Sequence, residues 1–453
     1  MQPKIIDLFS GCGGLALGFE KAGFEIAGGV ELMPEAWDTL TSNICWRYGK
    51  ERETHICGDI KKVDSDVFLN RIGNEGSIII GGPPCQAYSL VGRAKLRSLG
   101  EDRKNTNDSR GHLYQEYLRF VDSMKPRAVV MENVPEATNY GGKNIPQTVC
   151  EELEKKGYVS FWTVLNSADF GVPQVRERVF VIGILKSENI EISLPIPTHK
   201  SRSGELTNHQ KQFERYKQCP NFRMPVDSEN AKKTWVTVGE AFSDLPVLFP
   251  SADTRYHLAP INAGLRYRGP AENDYQRLMR NWYGKENVLL TANSFRKTLR
   301  DFPIFEKMKQ GNNYIDASEI ADRLLKSEAK MYNYAPDSEG YEKLKSKIVP
   351  PYARDKFPDK WKKLDENKPS HTLVAHLSVD TYSHIHPWEP RGISVREAAR
   401  IQSFPDDFYF NCSMGDAYKQ IGNAVPPLLA YSIAKSVYSA FERENHESFG
   451  RNS

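Results

Sequence analysis

Residues 7–19 read DLFSGCGGLALGF, and this stretch decides the fold. It joins an apolar run of strand length to a segment in which leucine and alanine recur at helical spacing, and the glycines between them indicate a tight turn. Gly11, Gly13 and Ala16 match the spacing G-x-G-x-x-G/A, and Glu31 lies 31 − 11 = 20 residues after the first glycine. A strand–turn–helix unit with this spacing is typical of sites that bind NAD, FAD or another adenosine cofactor, whose ribose hydroxyls donate hydrogen bonds to the acidic residue.

Strand-like and helix-like segments alternate throughout the first 185 residues. The predicted strands are 4–9, 26–31, 55–57, 77–80, 128–132, 159–165 and 179–185, and the predicted helices are 15–22, 33–43, 112–123 and 147–156. Such alternation is typical of βαβ units. It predicts an α/β fold with a largely parallel sheet and helices on both faces.

The pattern changes near residue 195. Residues 196–390 are polar, rich in tyrosine and arginine, and without a βα rhythm, so we predict a second, smaller and irregular domain there. Residues 391–453 contain a helix predicted at 395–402 and a C-terminal run with helical spacing. We expect this last segment to return to the first domain, residues 1–195.

Composition excludes several classes of protein. With 39% hydrophobic and 26% charged residues, the 453-residue chain can bury a large core, and its net charge of +3 leaves any polyanion site to local clusters. No apolar run approaches the ~18 residues of a membrane span, and no signal peptide is present, which indicates a cytoplasmic or nuclear protein. The seven cysteines form no CxxC pair, so we expect reduced thiols and no metal site, with His384 and His386 as ordinary loop or strand residues.

A second stretch, IIIGGPPCQAYSLVG at 78–92, places Cys85 after a short buried strand. The prolines stop the strand and stiffen the turn, at the sheet edge where open α/β folds bind ligands. Cys85 is therefore either a reactive thiol or a buried core cysteine. Two other residues are equally open. Asp59 could accept a hydrogen bond from an adenine amino group or cap a turn, and Phe9 could cover an adenine face or lie in the core.

The motifs occur in a recognisable order. After the glycine turn come GPPCQAYS (82–89), MENV (131–134), QVRER (174–178), REAARIQSFP (396–405) and GNAVPP (422–427). This series resembles the DNA cytosine-5 methyltransferases of bacterial restriction-modification type, across nearly the whole chain. The resemblance implies a Rossmann-like methyltransferase sheet at 1–195 that uses S-adenosylmethionine, a target-recognition domain at 196–390, and a C-terminal segment at 391–453 that returns to the catalytic domain.

The resemblance also implies roles for individual residues. Cys85 would be the nucleophile that adds to C6 of cytosine, Glu132 a proton donor to N3, and Arg176 and Arg178 its neighbours at the base. The residues that it implies for the cofactor pocket are Phe9, Gly11, Gly13, Gly14, Glu31, Leu32, Asp59, Ile60, Pro84, Leu113, Asn423 and Ala424. Adding a thiolate at C6 makes C5 electron-rich enough to accept a methyl group, and a carboxylic acid in a poorly solvated site can keep its proton near neutral pH. Taken alone, the arginines of QVRER could also be a solvated charge run.

Two basic segments suggest contacts with double-stranded DNA. Residues 89–111 hold six basic and three acidic residues directly after Cys85, and residues 255–300 hold nine Lys/Arg and three Asp/Glu among tyrosines and tryptophan. The first suits a lid that contacts phosphates over a flipped base, and the second suits base recognition, although a solvated basic face is the alternative. The DNA-binding candidates are Gln86, Ser89, Arg93, Lys95, Arg97, Arg110, Arg266, Arg268, Arg277 and Arg280.

Other functions stay open at this point. One branch of the family methylates transfer RNA, but it lacks so large a variable region as 196–390. A degenerate protein that only binds DNA would have no reason to keep Cys85, Glu132 and Arg178, and an NAD dehydrogenase would not explain PPCQ or QVRER. We therefore expect a monomeric enzyme of the bacterial cytoplasm, associated with the nucleoid and paired with a separate restriction endonuclease. The recognition sequence cannot be derived from the chain.

Overall fold

The computed structural model of the protein describes residues 3–45, 51–73, 76–84, 113–204, 207, 210–248, 263–351, 360–378 and 381–450. The chain divides into two compact units, Met1–Trp235 together with Ala424–Ser453, and Val236–Asn423. Within the described ranges, no helix has the length and apolar character needed to cross a membrane.

A seven-stranded sheet forms the centre of the first unit. Its strands are β1 (Lys4–Leu8), β2 (Ile26–Glu31), β3 (His55–Cys57), β4 (Ser77–Gly81), β5 (Ala128–Asn133), β6 (Tyr158–Asn166) and β7 (Glu177–Leu185). They lie in the order β3-β2-β1-β4-β5-β7-β6. Strands β1 to β5 are parallel, whereas β7 is antiparallel to β5 and β6. The predicted α/β fold is confirmed.

Helices cover both faces of this sheet. They are α1 (Gly14–Lys21), α2 (Pro34–Asn43), α3 (Leu69–Ile72), α4 (Leu113–Met124), α5 (Ile145–Lys155), the short α6 (Phe213–Tyr216), and the C-terminal helix Pro427–Gly450. Because side chains alternate along a strand, Ile79 packs with α4 and α5, while Ile78 and Ile80 pack with α1 and the C-terminal helix. The C-terminal helix approaches α1 so closely that a Cβ on Gly18 would lie 2.4 Å from the Cβ of Ala430.

The first unit continues beyond residue 195. The short strands β8 (His199–Lys200) and β9 (Lys233–Thr234) pair with each other. The ring of Trp162 on β6 lies 4.7 Å, centroid to centroid, from the ring of Phe222. These contacts fasten residues 196–235 to the sheet, so the packing boundary falls at Trp235.

The second unit is built from helices and irregular segments. Its helices are α7 (Val238–Phe242), α8 (Asp274–Arg280), α9 (Phe302–Lys307), α10 (Tyr314–Met331), α11 (Glu339–Ile348), α12 (Val395–Ile401) and α13 (Met414–Asn423). Phe305, Trp361 and Tyr382 form the centre of its apolar core. The backbone N–H groups of Val395 and Arg396 donate to the carbonyls of Ser294 and Ala292, at 3.0 and 2.7 Å. In packing terms, residues 391–423 therefore belong to the second unit.

Candidate active site

Glu31, at the end of β2, organises the glycine turn that follows β1. Its Oε2 accepts a hydrogen bond from the Gly11 N–H at 2.7 Å, and its Oε1 accepts one from the Met33 N–H at 2.8 Å. The Gly58 N–H donates to the Glu31 carbonyl at 2.8 Å. Gly11 has a φ of +56°, which only glycine adopts without strain. The turn after β1 and the turn after β3 are thus tied to one carboxylate residue.

The other residues predicted to hold the cofactor are spread over several elements of the chain. Gly13 and Gly14 open α1, Phe9 is half-buried at a φ of +58°, and Leu32 is exposed. The Asp59 carboxylate accepts the Lys61 N–H at 3.1 Å and so caps the short helix Ile60–Lys62, in which Ile60 is buried. Pro84 and Leu113 are half-buried, as is Ala424, whereas Asn423 is exposed at the end of α13.

The described residues around Glu31, from the glycine turn to Asp59, fit an adenosine cofactor. A Cβ added at Gly11 or at Gly58 would meet no described atom within 4 Å, so the described residues leave room beside both glycines. Carboxylate oxygens on Glu31 and Asp59 can accept from ribose hydroxyls and an adenine amino group. The N–H groups at the start of α1 favour a negatively charged group such as a carboxylate.

Glu132 and Arg178 form a buried ion pair where β5 and β7 run side by side. The Arg178 Nε lies 2.9 Å from the Glu132 Oε1, and each side chain is 11% exposed. Burial raises the pKa of Glu132, and this effect outweighs the opposing attraction of Arg178 and Arg176. The carboxyl can therefore carry a proton at a higher pH than an ordinary glutamate.

The same carboxyl touches the turn that follows β4. A Cβ on Gly82 would lie 2.9 Å from the Glu132 Oε2, so a side chain at position 82 would displace the carboxyl from this place. Next to it, the buried Asn133 donates from its Nδ2 to the Pro83 carbonyl at 3.3 Å, while its Oδ1 accepts the Val134 N–H at 2.9 Å. The end of β5 thus holds the turn that continues into Cys85.

The side chain of Arg176, in QVRER, is almost completely buried. Its Nη2 donates to the Ala424 carbonyl at 3.3 Å. The Asn166 Oδ1 accepts the Arg176 N–H and the Ala168 N–H, each at 3.3 Å. These bonds join QVRER to the GNAVPP segment and make a solvated charge run the wrong alternative for Arg176.

Several predicted residues lie outside the described part of the chain. They are Cys85, Gln86, Ser89, Arg93, Lys95, Arg97 and Arg110.

The four arginines predicted to contact DNA in the second unit divide into two kinds. Arg266, Arg268 and Arg277 are exposed, and Arg277 pairs with Asp274 at 2.8 Å. Arg280 is buried instead, because its guanidinium pairs with Asp244 at 2.8 Å and lies 3.7 Å from the centre of the Tyr267 ring. This geometry makes Arg280 a structural residue and does not support a DNA contact.

One cluster has the residue types of a metal site. Ligand atoms of His386, Glu389 and Glu397 lie within 4.8 Å of one another. The guanidinium of Arg391 donates to both carboxylates, at 3.0 and 2.7 Å, and offsets one of their two negative charges. The cluster is therefore an internal ion pair of the second unit.

Sequence reasoning missed the positioning residues. Gly82 and Asn133 stand inside GPPCQAYS and MENV, yet no role was assigned to them. Asn166 directly precedes the loop to QVRER. The signal that could have found the two asparagines is a short amide side chain at a strand end, where it can bind backbone groups of the next turn.

Comparison with known proteins agrees with this geometry. A family model described as C-5 cytosine-specific DNA methylase matches residues 3–439. The chain is 51% identical over 440 residues to a provisionally named type II methyltransferase, M.OihORF3336P of Oceanobacillus iheyensis, covering 96% of this chain and 95% of that protein. It is 29% identical over 468 residues to the type II methyltransferase M.AgeI of Thalassovita gelatinovora, covering 96% and 99%. The fold resembles a crystal structure of a prophage-encoded E. coli protein, provisionally described as a DNA modification methyltransferase, with a TM-score of 0.65, 23% identity and coverage of 97% and 100%.

Proposed function

The chain belongs to the C-5 cytosine-specific DNA methylases, and we propose that it methylates a flipped-out cytosine through a covalent bond between Cys85 and C6, with S-adenosylmethionine as the methyl donor. We further propose that it acts as the modification enzyme of a type II restriction-modification system, on a specific sequence in double-stranded DNA. Two relatives that match it over nearly their full length carry type II methyltransferase names. In this role it would be a monomer of the bacterial cytoplasm, and a separate endonuclease would cut the unmodified sequence.

S-adenosylmethionine, when bound, supplies an electrophilic methyl group on a sulfonium. Glu31 and Asp59 would accept hydrogen bonds from its adenosine part, and the N–H groups that open α1 would bind its carboxylate. Glu31 also holds the Gly11 and Met33 N–H groups, so the protein fixes the shape of this pocket before binding.

The chain's own residues then activate the base. The Cys85 thiolate forms a bond to C6, the N3 of cytosine takes a proton from Glu132, and C5 becomes nucleophilic enough to accept the methyl group. A solvent base takes the C5 proton, the N3 proton returns to Glu132, and the Cys85–C6 bond breaks with its electron pair going to sulfur, which restores the aromatic ring and the free thiolate. C5 takes the methyl group from the donor, which leaves as a neutral thioether, and no oxidant or reductant is needed.

The contact between Glu132 and Gly82 is the observation on which this proposal chiefly depends. It places a carboxyl with a raised pKa against the turn that continues into Cys85. Arg178, paired with the same carboxyl, can bind the carbonyl oxygen of the base. Because Cys85 follows this turn directly in the sequence, we infer that the acid and the nucleophile act on the same ring, and a base inside the duplex must be flipped out to enter.

A mechanism-based trap tests this proposal. A duplex with 5-fluorocytosine at the methylated position has no C5 proton to lose, so the covalent adduct should accumulate with S-adenosylmethionine and survive denaturing electrophoresis. Cys85→Ser should form no adduct. The matched control Cys219→Ser changes a half-buried cysteine of the first unit and should trap normally. An adduct with Cys85→Ser would overturn the proposal.

A further inference from the structure

Two neighbouring segments of the second unit, residues 265–269 and 287–290, form a short ribbon that is paired at one bridge. Leu265 and Leu290 make this antiparallel bridge, and each N–H donates to the other's carbonyl at 2.8 Å. Leu290 is fully buried, whereas Arg266 and Leu289, the residues next to the bridge, are exposed.

Two aliphatic side chains of this ribbon are exposed and take no part in the apolar core. Val288 is 72% exposed and Leu289 is 49% exposed. The other segment of the ribbon carries the exposed arginines Arg266 and Arg268, and among the described residues neither guanidinium has a carboxylate within ion-pair distance. An aliphatic pair flanked by cations suits a polyanion that also offers methyl groups.

Both strands of the ribbon are fixed to one buried arginine. Arg280 donates from its Nη2 to the Gly269 carbonyl at 2.7 Å, and its guanidinium packs on Tyr267. The Asn287 N–H donates to the Arg280 carbonyl at 2.8 Å, and the Asn287 side chain donates to the Leu289 carbonyl at 2.7 Å. The backbone beneath Val288 and Leu289 is thus anchored.

Tyr267 and the residue after it are held by further hydrogen bonds to acidic residues of the second unit. Its hydroxyl donates to the Asp406 Oδ2 at 2.7 Å, and the Arg268 N–H donates to the Asp244 carbonyl at 2.9 Å. Arg400 pairs with both Asp244 and Asp406 in the interior of the unit. A surface that reads bases needs a backbone held in this way, because its side chains must be positioned to within about 0.5 Å of the base edge.

We propose that the ribbon enters the major groove of the target and that Val288 and Leu289 contact the 5-methyl group of a thymine in the recognition sequence. This inference rests on the proposed sequence-specific methylation of duplex DNA. The major groove admits a two-stranded ribbon, and the thymine methyl is the apolar group exposed there. Arg266 and Arg268 contact phosphates or guanine on the same face, so the aliphatic pair adds specificity that the cations do not supply.

Removing a methyl group from the DNA tests this contact directly. Bisulfite sequencing first gives the recognition sequence of the wild-type enzyme, and a set of duplexes then carries uracil in place of each thymine in turn. Uracil pairs like thymine and lacks only the 5-methyl group. At one position, uracil should lower kcat/KM of the wild type by roughly three- to tenfold, the effect of one or two buried methyl contacts.

The same substitution should lose its effect in the variant protein. The double variant Val288→Ala/Leu289→Ala should methylate the thymine and uracil duplexes equally at that position and keep the salt dependence of binding. Val247→Ala and Ile315→Ala remove side chains of the second unit that are 61% and 46% exposed, and these controls should discriminate as the wild type does.

Three results would overturn the inference: a recognition sequence without a T·A pair, uracil tolerated at every position, or an unchanged uracil effect in the double variant. An adventitious apolar surface, or one that binds another protein, would give the last of these. A wild-type enzyme that transfers no methyl group to DNA would instead contradict the proposed function, so the two failures are distinguishable.

Discussion

The Nε of Arg178 lies 2.9 Å from the Oε1 of Glu132, in a pair that is almost closed to solvent. The pair joins strands β5 and β7, and it brings MENV and QVRER together although Glu132 and Arg178 are 178 − 132 = 46 positions apart in the sequence. Burial raises the pKa of the carboxyl while the arginine opposes the rise. Burial thus favours the protonated carboxyl, and Arg178 favours the charged one.

The first prediction is that Glu132→Gln lowers the methylation rate by ~10²–10⁴-fold, the usual loss when a general acid is missing. The amide keeps the shape and can still donate a hydrogen bond, so the affinity for target DNA should persist. Single-turnover methylation with saturating cofactor measures the chemical step without product release. Glu136→Gln, four residues along in the short helix Pro135–Asn139, is the matched control. A Glu132→Gln rate within threefold of wild type would remove the acid role.

The second prediction assigns Asn133 a positioning role. Asn133→Ala removes the hydrogen bond to the Pro83 carbonyl, so the turn leading to Cys85 should lose its fixed position. We expect roughly 10²-fold slower formation of the 5-fluorocytosine adduct, the scale associated with a displacement of about 1 Å. Cofactor affinity by calorimetry should stay within twofold. Equal losses in adduct rate and cofactor affinity would indicate a general structural defect instead.

The sheet could be predicted because buried parallel strands are continuous apolar runs separated by helical patterns. The glycine turn also fixed where β1 ends and where Glu31 lies relative to it. The antiparallel order of β7 and β6 was not predicted, since it depends on which strands meet and not on local pattern. The packing boundaries at Trp235 and Asn423 cannot be predicted from local pattern for the same reason. They depend on contacts between distant segments, such as that of Trp162 with Phe222.

In the candidate site, only residues that belong to a recognisable motif could be predicted from the sequence. Glu132 and Arg178 were identified by resemblance, and the structure brings them into contact. Arg280 looks like its exposed neighbour Arg277 in the sequence, because both lie in the same basic stretch. The burial of Arg280 depends on its ion pair with Asp244, which lies 36 residues earlier in the chain. No local sequence pattern predicts that contact.

The third prediction contrasts these two arginines. Arg280→Ala should lower the free energy of unfolding by ~1.5–3 kcal/mol, because it removes charged hydrogen bonds to the buried carboxylate of Asp244, which keeps Arg400 as its other partner. Arg277→Ala breaks an exposed pair and should cost at most ~1 kcal/mol. If Arg277 contacts a phosphate, its loss should weaken DNA binding for all sequences and reduce the salt slope by about 1. Urea unfolding and salt titrations measure the two effects, and equal stabilities of the two variants would contradict the structural assignment of Arg280.

The fourth prediction concerns the cofactor pocket. Asp59→Asn should weaken S-adenosylmethionine by ~1–3 kcal/mol, the scale of a lost hydrogen bond to a charged group. Glu31→Gln should weaken it at least as much, because one of the two N–H groups now bound by the carboxylate would face an amide NH₂. Calorimetry in the absence of DNA measures both. Asp64→Asn, which changes the cap of a neighbouring short helix, is the control. Unchanged cofactor affinity in both pocket variants would show that adenosine binds elsewhere.

The fifth prediction is a loss of stability in mild acid that originates in the second unit. His371 and His384 stack with ring centroids 3.9 Å apart. Burial lowers the pKa of His371 to about 4 and holds the pKa of His384 well below its usual value. In the unfolded chain both take up protons below a pH of about 6.5, which the folded state does not. The folded state therefore loses stability as the pH falls from about 6.5 towards 4.

Each of these histidines should cost about 2 kcal/mol between pH 7 and pH 5, since one proton per pH unit is worth ~1.4 kcal/mol. His371→Phe keeps an aromatic ring against His384 but cannot titrate. The drop in the free energy of unfolding from pH 7 to pH 5 should then be about 2 kcal/mol smaller in this variant than in the wild type. Urea unfolding followed by tryptophan fluorescence measures it, since Trp361 lies in the core of the second unit. Asp169 in the first unit acts in the opposite direction, because burial raises its pKa to about 7 and its contribution to stability is lost as the pH rises. Comparing the wild type with His371→Phe cancels that contribution, so an identical pH dependence in the two proteins would mean that His371 is not held neutral by the fold.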